Sequence, residues 1–341
     1  MSETDGRRRV VDAHVHLFDH TANRHEFLER RDKTFEALVG DYAALPRTYL
    51  IDDYLRDSGS RRVEGIVWHE FLSADPLREA HWGQALADAS PIPQAVVALV
   101  EFGDPALEER LDVYRSLRNV TAVREHLGWD PADPLRRFAA RPDLLTDPAW
   151  RAGLSRLGGW DVACGLEVFA HQLPELLDVV RLHPDIRFTV AVMGWPLDLT
   201  ADGQARWRGD MAEISRCDNV CASISAVECV LGRDWTVDSA RPWVETIIDH
   251  FGPGRCMLGG HLPISRLSYG FEPLYDAYDE LLADLSPGEQ DSLFGATATG
   301  WFGLDRLALP ARDGDAAPNR SRQRLPERHF PAGPECNDAD L

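Results

Sequence analysis

A (β/α)8 barrel is the fold class this sequence predicts, and three observations predict it. Eight short apolar runs bounded by turn signals recur along the chain. Helical patterns separate them, as parallel strands require of their crossovers. No G-x-G-x-x-G follows a strand and opens a helix, so the rival, a doubly wound open sheet, lacks its phosphate loop.

The first run is VVDAHVHLF (10–18), and the second is VEGIVWHEFL (63–72). The segment from 19 to 62 then reads as an insertion after the first strand, placed over the barrel mouth. Next come PQAVVALVEF (93–102), VTAVREHL (120–127), VACGLEVFA (162–170) and IRFTVAVMG (186–194). NVCASISAV (219–227) and RCMLGGHLP (255–263) complete the eight. Most are continuously apolar rather than alternating, the pattern of strands covered on both faces. LPELLDVVRLH (173–183), ARPWVETIIDHF (240–251) and EPLYDAYDELLADL (272–285) carry helical periodicity. The barrel is expected over residues 8–308. From 309 to 341 the chain is rich in Pro, Arg, Asp and Gly, and a disordered tail is expected there.

The chain has 341 residues, and at 44% hydrophobic content a sizeable core is feasible. A formal charge of −20 argues against nucleic acid and anionic membranes as partners. No apolar run reaches 18 residues and the N-terminal stretch has no long apolar region, so a soluble, cytoplasmic protein is expected. The six cysteines form no C-x-x-C pair and read as reduced, mostly buried thiols. Lys33 is the only lysine, in a segment (HEFLERRDKTFEAL) that reads as a surface helix. Schiff-base or carbamyl-lysine chemistry is therefore disfavoured.

In such a barrel chemistry sits at the carboxyl ends of the strands. The first run offers His14 and His16, the second His69 and Glu70, the third Glu101. Arg124, Glu125 and His126 end the fourth, and the fifth runs into His171. The sixth offers only Met193 and Trp195, the seventh Ser223 and Ser225, the eighth His261. Residues i and i+2 of a strand share a face, roughly 6.5–7 Å apart. Two imidazoles at that spacing can lean together onto one zinc-like ion, each nitrogen about 2.0–2.1 Å from it. A third ligand must come from another strand, and His171 is the natural candidate. The alternative is that both histidines fill the barrel with their N–H groups satisfied.

His261 follows two glycines and precedes Pro263, a setting that suits a base or a further metal ligand. Arg124 suits a bidentate grip on a substrate carboxylate, or else an ion pair with Glu70 or Glu167. Glu70 reads as a ligand, an acid or that partner. His69 and His126 read as facing the helices, and His25 as facing solvent. No G-x-S-x-G elbow or P-loop is present.

These residues resemble the amidohydrolase superfamily, and specifically its amidohydrolase-2 branch. VVDAHVHLFD is similar to that branch's opening strand, VREHLGWDP to its fourth and GLEVFAHQLPEL to its fifth. MGWPLD resembles the sixth-strand signature, RPWVETIIDHFGPGRCMLGGHLP the approach to the eighth strand, and LFGATATGWFGLD the closing helix. The resemblance spans about residues 8 to 305 and implies a TIM barrel. It also implies that His14 and His16 occupy the branch's H-x-H positions and His171 its fifth-strand histidine. Three positions depart from the pattern. Val192 stands where the sixth strand usually has histidine, His261 where the eighth has Asp or Asn, and Ser223 where some relatives have lysine.

The members it resembles are sugar-acid and dicarboxylate lactonases. The implied activity is hydrolysis of a small carboxylate-bearing lactone or related cyclic ester or amide. His14, His16 and His171 would hold a divalent metal, zinc above all, or polarise the carbonyl without one. His261 would take the base's role, with Arg124 and Glu70 as the other catalytic groups. A decarboxylase, dehydratase or cyclase on the same scaffold, or an inactive binding protein, is the alternative.

Overall fold

The computed structural model of the protein describes residues 8–307. Its barrel strands are β1 (Arg9–Val15), β2 (Arg62–His69), β3 (Gln94–Leu99) and β4 (Val120–His126), then β5 (Ala163–Glu167), β6 (Arg187–Val190), β7 (Val220–Ile224) and β8 (Cys256–Leu258). Each pairs in parallel with the next, in simple sequence order. The first and last strands meet beyond their regular ends, where His16 N donates to Leu262 O at 2.8 Å and His261 N to His14 O at 2.6 Å. The (β/α)8 barrel expected from the sequence is the fold observed.

The outer layer holds α1 (Ile51–Asp57), α2 (Pro76–Ala89), α3 (Leu107–Ser116), α4 (Pro148–Leu154), α5 (Leu173–Leu182), α6 (Ala201–Ile214), α7 (Val237–Phe251) and α8 (Phe271–Leu281). Local chemistry fixes several of their starts. Asp75 caps α2 by accepting from Arg78 N, and Asp147 caps α4 by accepting from Trp150 N, each followed by proline at the first helical position. Thr200 and Thr236 do the same for α6 and α7.

Inside the barrel Val11, Ala13, Val67, Ala95, Val97, Ala122, Ala163, Cys221 and Met257 form one buried cluster. The chain after α8 seals it, with Ala298, Phe302, Leu304 and Leu307 in the same cluster. Trp301 Nε1 donates to Thr189 Oγ1 of β6 at 3.0 Å. The floor is therefore solid, and the polar residues can gather only above it.

Most of the apolar runs outlast the strands they contain at the carboxyl end. For the second, sixth, seventh and eighth runs the backbone supplies the reason. Leu72, Val192, Met193, Trp195, Ala226 and His261 all have positive φ, between 43° and 55°. Extended structure cannot pass through such residues, so apolar sequence continues into the mouth loops after the strand has stopped. Strain of this kind collects where a site over-determines the backbone.

The insertion carries helices at Glu26–Glu29 and Lys33–Val39 and a short antiparallel pair, Phe18–Asp19 with Thr48–Tyr49. The single surface helix expected around Lys33 is thus two. Asp32 divides them, its side chain accepting from Thr34 N and Phe35 N to start the second. Lys33 is exposed, whereas Phe27 and Phe35 are buried. His25, expected to face solvent, is fully buried among Phe18, Phe27 and Phe71. Tyr54 of α1 donates to Asp12 Oδ2 at 3.0 Å, which ties the end of the insertion to β1. Arg233 Nη2 donates to Val39 O at 2.9 Å. Leu38 shares a crevice at the mouth with His126, Phe169 and Trp195.

Cys164, Cys221 and Cys256 are buried, Cys217 and Cys229 partly so, and all five are free thiols. Among the described residues no helix is long and apolar enough to cross a membrane. The tail expected over 309–341, with Cys336, lies outside the described residues.

Candidate active site

β1 delivers His14, the residue just past its end is His16, and the turn after β8 delivers His261. Two glycines make that meeting possible. A Cβ at Gly259 would stand 2.5 Å from His14 Cβ, and one at Gly260 would stand 2.5 Å from Asp12 Oδ2. Asp12 holds the turn from below: its Oδ1 accepts from Gly260 N at 2.6 Å and from His14 N at 3.0 Å. Burial raises the Asp12 carboxyl to about pKa 7, opposed by these donors and by Tyr54.

The three rings are 3–5% exposed. Their centroids lie 5.0 Å (His14 to His16), 4.6 Å (His14 to His261) and 5.4 Å (His16 to His261) apart. One ring nitrogen from each falls within 4.8 Å of the others. His69 packs on His14 at 4.3 Å. Burial, then the neighbouring imidazoles, holds His14 and His16 well below the ordinary histidine pKa. For His69, burial and then Arg124 bring it to about 3. His14 and His16 are thus neutral near pH 7, as metal ligands must be.

Their partners fix which nitrogen keeps a lone pair. His16 Nδ1 lies 3.1 Å from His69 O, a carbonyl that only accepts, so Nδ1 carries the hydrogen. His261 Nδ1 donates likewise to Glu228 Oε1 at 2.6 Å. His14 Nδ1 lies 2.9 Å from Ser225 Oγ, which in turn lies 3.1 Å from Ser223 Oγ. Ser225 can accept from His14 while donating to Ser223. His14 Nε2 is buried and has no hydrogen-bond partner. Such an orphan is costly unless something fills it.

Beside this group lies a charged quartet from β2, β4 and β5. Arg124 Nε donates to Glu70 Oε1 at 2.6 Å, Nη2 to Glu70 O at 2.8 Å, and Nη1 to Glu167 Oε1 at 2.6 Å. His126 is wedged between the same carboxylates, Nε2 3.0 Å from Glu70 Oε1 and Nδ1 2.9 Å from Glu167 Oε2. Burial opposes a charge on His126, but Glu167 and Glu70 outweigh it and raise its pKa to about 9. Burial also disfavours the two carboxylates, yet Arg124 and His126 hold both well below the usual range. Two cations and two anions close on each other.

His14, His16 and His261 are therefore brought together, and His171 is not. His171 is exposed on a 3-10 turn, Ala170–Gln172, with Nε2 3.0 Å from Trp129 O. The expectation that it completes the metal set is corrected: β5 ends at Glu167, and His171 lies four residues beyond, on the rim. Arg124 is corrected as well. Its guanidinium is committed to Glu70 and Glu167, the ion pair that was its other reading, rather than to a substrate. Glu70 is that partner, with Oε2 also accepting from Leu72 N at 2.7 Å. His69 and His126 point into the site, not toward the helices.

Glu228, on the short helix Val227–Leu231, and Ser225 carried no signal in the sequence beyond their place after β7. Val192 is buried at the end of β6, so no imidazole enters from that side. His126 also lines a cavity of about 580 Å³ with Leu72, Leu99, Glu125, Phe138 and Arg141.

The comparisons with known proteins agree on the architecture. A family model described as Amidohydrolase matches residues 11–304. The uncharacterized protein y4mH of Sinorhizobium fredii is 27% identical over 296 residues, 86% of this chain and 98% of its own. L-fucono-1,5-lactonase of Burkholderia multivorans is 25% identical over 226 residues, 63% of this chain and 73% of that protein. Among solved structures, an amidohydrolase from Burkholderia multivorans with bound zinc has a TM-score of 0.72 at 21% identity, covering 87% of this chain and 100% of that one.

Proposed function

The chain belongs to the amidohydrolase family, and from that premise we propose that it hydrolyses a small carboxylate-bearing lactone or related cyclic ester at the histidine centre. The observation that carries the reading is the convergence of His14, His16 and His261, their outer nitrogens tied to acceptors and His14 Nε2 left without a partner. The lactonase relative supports the substrate class, and the neighbour solved with bound zinc supports a metal.

The donor set fits a divalent ion. Three imidazoles suit zinc, and three protein ligands leave a position open. The chemistry such an ion supplies is polarisation of the ester carbonyl and activation of a water. His14, His16 and His261 would hold it through Nε2. Asp12 fixes the backbone on which two of them ride. The buried rings keep bulk water from the reacting carbonyl. His126 lines the cavity with its charge balanced by Glu70 and Glu167. Arg124 positions His126 indirectly, by holding both of its carboxylates.

Two measurements test this. Metal analysis of the purified protein should find about one equivalent, absent from a His14→Ala/His16→Ala variant. A panel of carboxylated lactones followed with a pH indicator should show acid release that the same variant loses. Zinc bound with no turnover on any lactone would redirect the assignment to decarboxylation, dehydration or cyclisation.

A further inference from the structure

The donor set of His14, His16 and His261 contains no carboxylate that would bring a negative charge. Glu228 supplies that charge from one bond further out. Its Oε1 lies 2.6 Å from His261 Nδ1, both side chains are buried, and they come from different loops, those after β7 and β8. The ring of His261 is also held in a left-handed backbone position, φ 51°, that a non-glycine residue adopts only under constraint.

We infer that Glu228 is a positioning residue for the metal centre: its carboxylate fixes the Nδ1–H tautomer of His261, aims Nε2 at His14 and His16, and returns a negative charge to the ligand set. Carboxylates behind metal-bound histidines orient the ring and raise its basicity. Cys229, whose Sγ is 4.0 Å from the same Nδ1, is the competing group. The inference rests on the proposed function only in taking His261 as a ligand.

The experiment is zinc titration of the full chain with a competing chromophoric chelator, so no substrate is needed. Glu228→Gln keeps a hydrogen-bond acceptor of the same shape and removes the charge. Its zinc affinity should fall about 10-fold and that of Glu228→Ala up to about 100-fold, with Glu228→Asp recovering part of the loss and Cys229→Ser matching the wild type. Metal-free melting of Glu228→Gln close to wild type shows that the loss is not one of fold. Unchanged affinity in Glu228→Gln and Glu228→Ala overturns the inference alone. An equal loss in Cys229→Ser overturns it too, in favour of direct ligation from that side. A wild type that takes up no zinc overturns the metal-dependent reading and this inference with it.

Discussion

Arg124 and Glu70 form an ion pair inside the barrel, Nε 2.6 Å from Oε1, with neither side chain more than 5% exposed. Buried pairs of this kind contribute little net stability against an apolar pair, yet removing one partner strands the other. Arg124→Met should therefore lower unfolding free energy by roughly 3–5 kcal/mol, because Glu70 and Glu167 are left with His126 as the one cation they share. Urea denaturation measures it. The double variant Arg124→Met/Glu70→Leu should cost less than the sum of the singles. Additive losses would mean that the two residues are not coupled.

His126 makes stability depend on pH. A free histidine titrates near about 6.5, and here the carboxylates of Glu167 and Glu70 raise the folded value to about 9. The folded state holds the proton more tightly, so the contribution is complete below about pH 6.5. It is lost as pH rises through 9. Urea midpoints of the wild type should decline across that window, and those of His126→Gln should decline less. Parallel curves for the two proteins would place the titrating group elsewhere.

Zinc uptake separates the two histidines that the sequence put forward as partners of the H-x-H pair. His261→Ala should weaken binding beyond the roughly 10–100-fold that outer-shell groups cost, because a ligand is lost. His171→Ala should leave both affinity and stoichiometry unchanged, since its Nε2 meets Trp129 O on the rim. Inductively coupled plasma analysis after dialysis reads both. The reverse pattern would return His171 to the site.

Tyr54→Phe removes one of three donors to the buried Asp12 carboxyl group. A loss of about 1–3 kcal/mol is expected. Amide exchange should quicken across α1 and the insertion before it quickens in β4 or β5. Uniform acceleration throughout the barrel would show that the bond does not fasten the insertion locally.

The barrel was legible because parallel strands covered on both faces leave continuous apolar runs. Their ends were not. Nothing in the residue type of Leu72, Ala226 or His261 announces a positive φ, so the runs were read past the point where the backbone turns. His14, His16 and His261 were legible because a closed barrel makes its first and last strands neighbours. Strand parity decides the rest. Arg124 and His126 share a face with Ala122, which packs inside the barrel, so His126 belongs inward with Arg124. On β5 the residue at the corresponding height is Glu167, and His171 falls beyond the strand. Glu228 sits in SAVECVL, apolar on both sides, and only the tertiary pairing with His261 shows its use.

The seal beneath the barrel has a consequence for how the protein is made. Phe302, Leu304 and Leu307 cover Val11, Ala13, Val67 and Val97, yet they follow every strand in the chain. A ribosome must translate through Leu307 before that greasy lumen is closed, and β1 must wait for β8 before its own edge is paired. Nascent chains halted short of this point would expose both at once and should be the ones that chaperones retain.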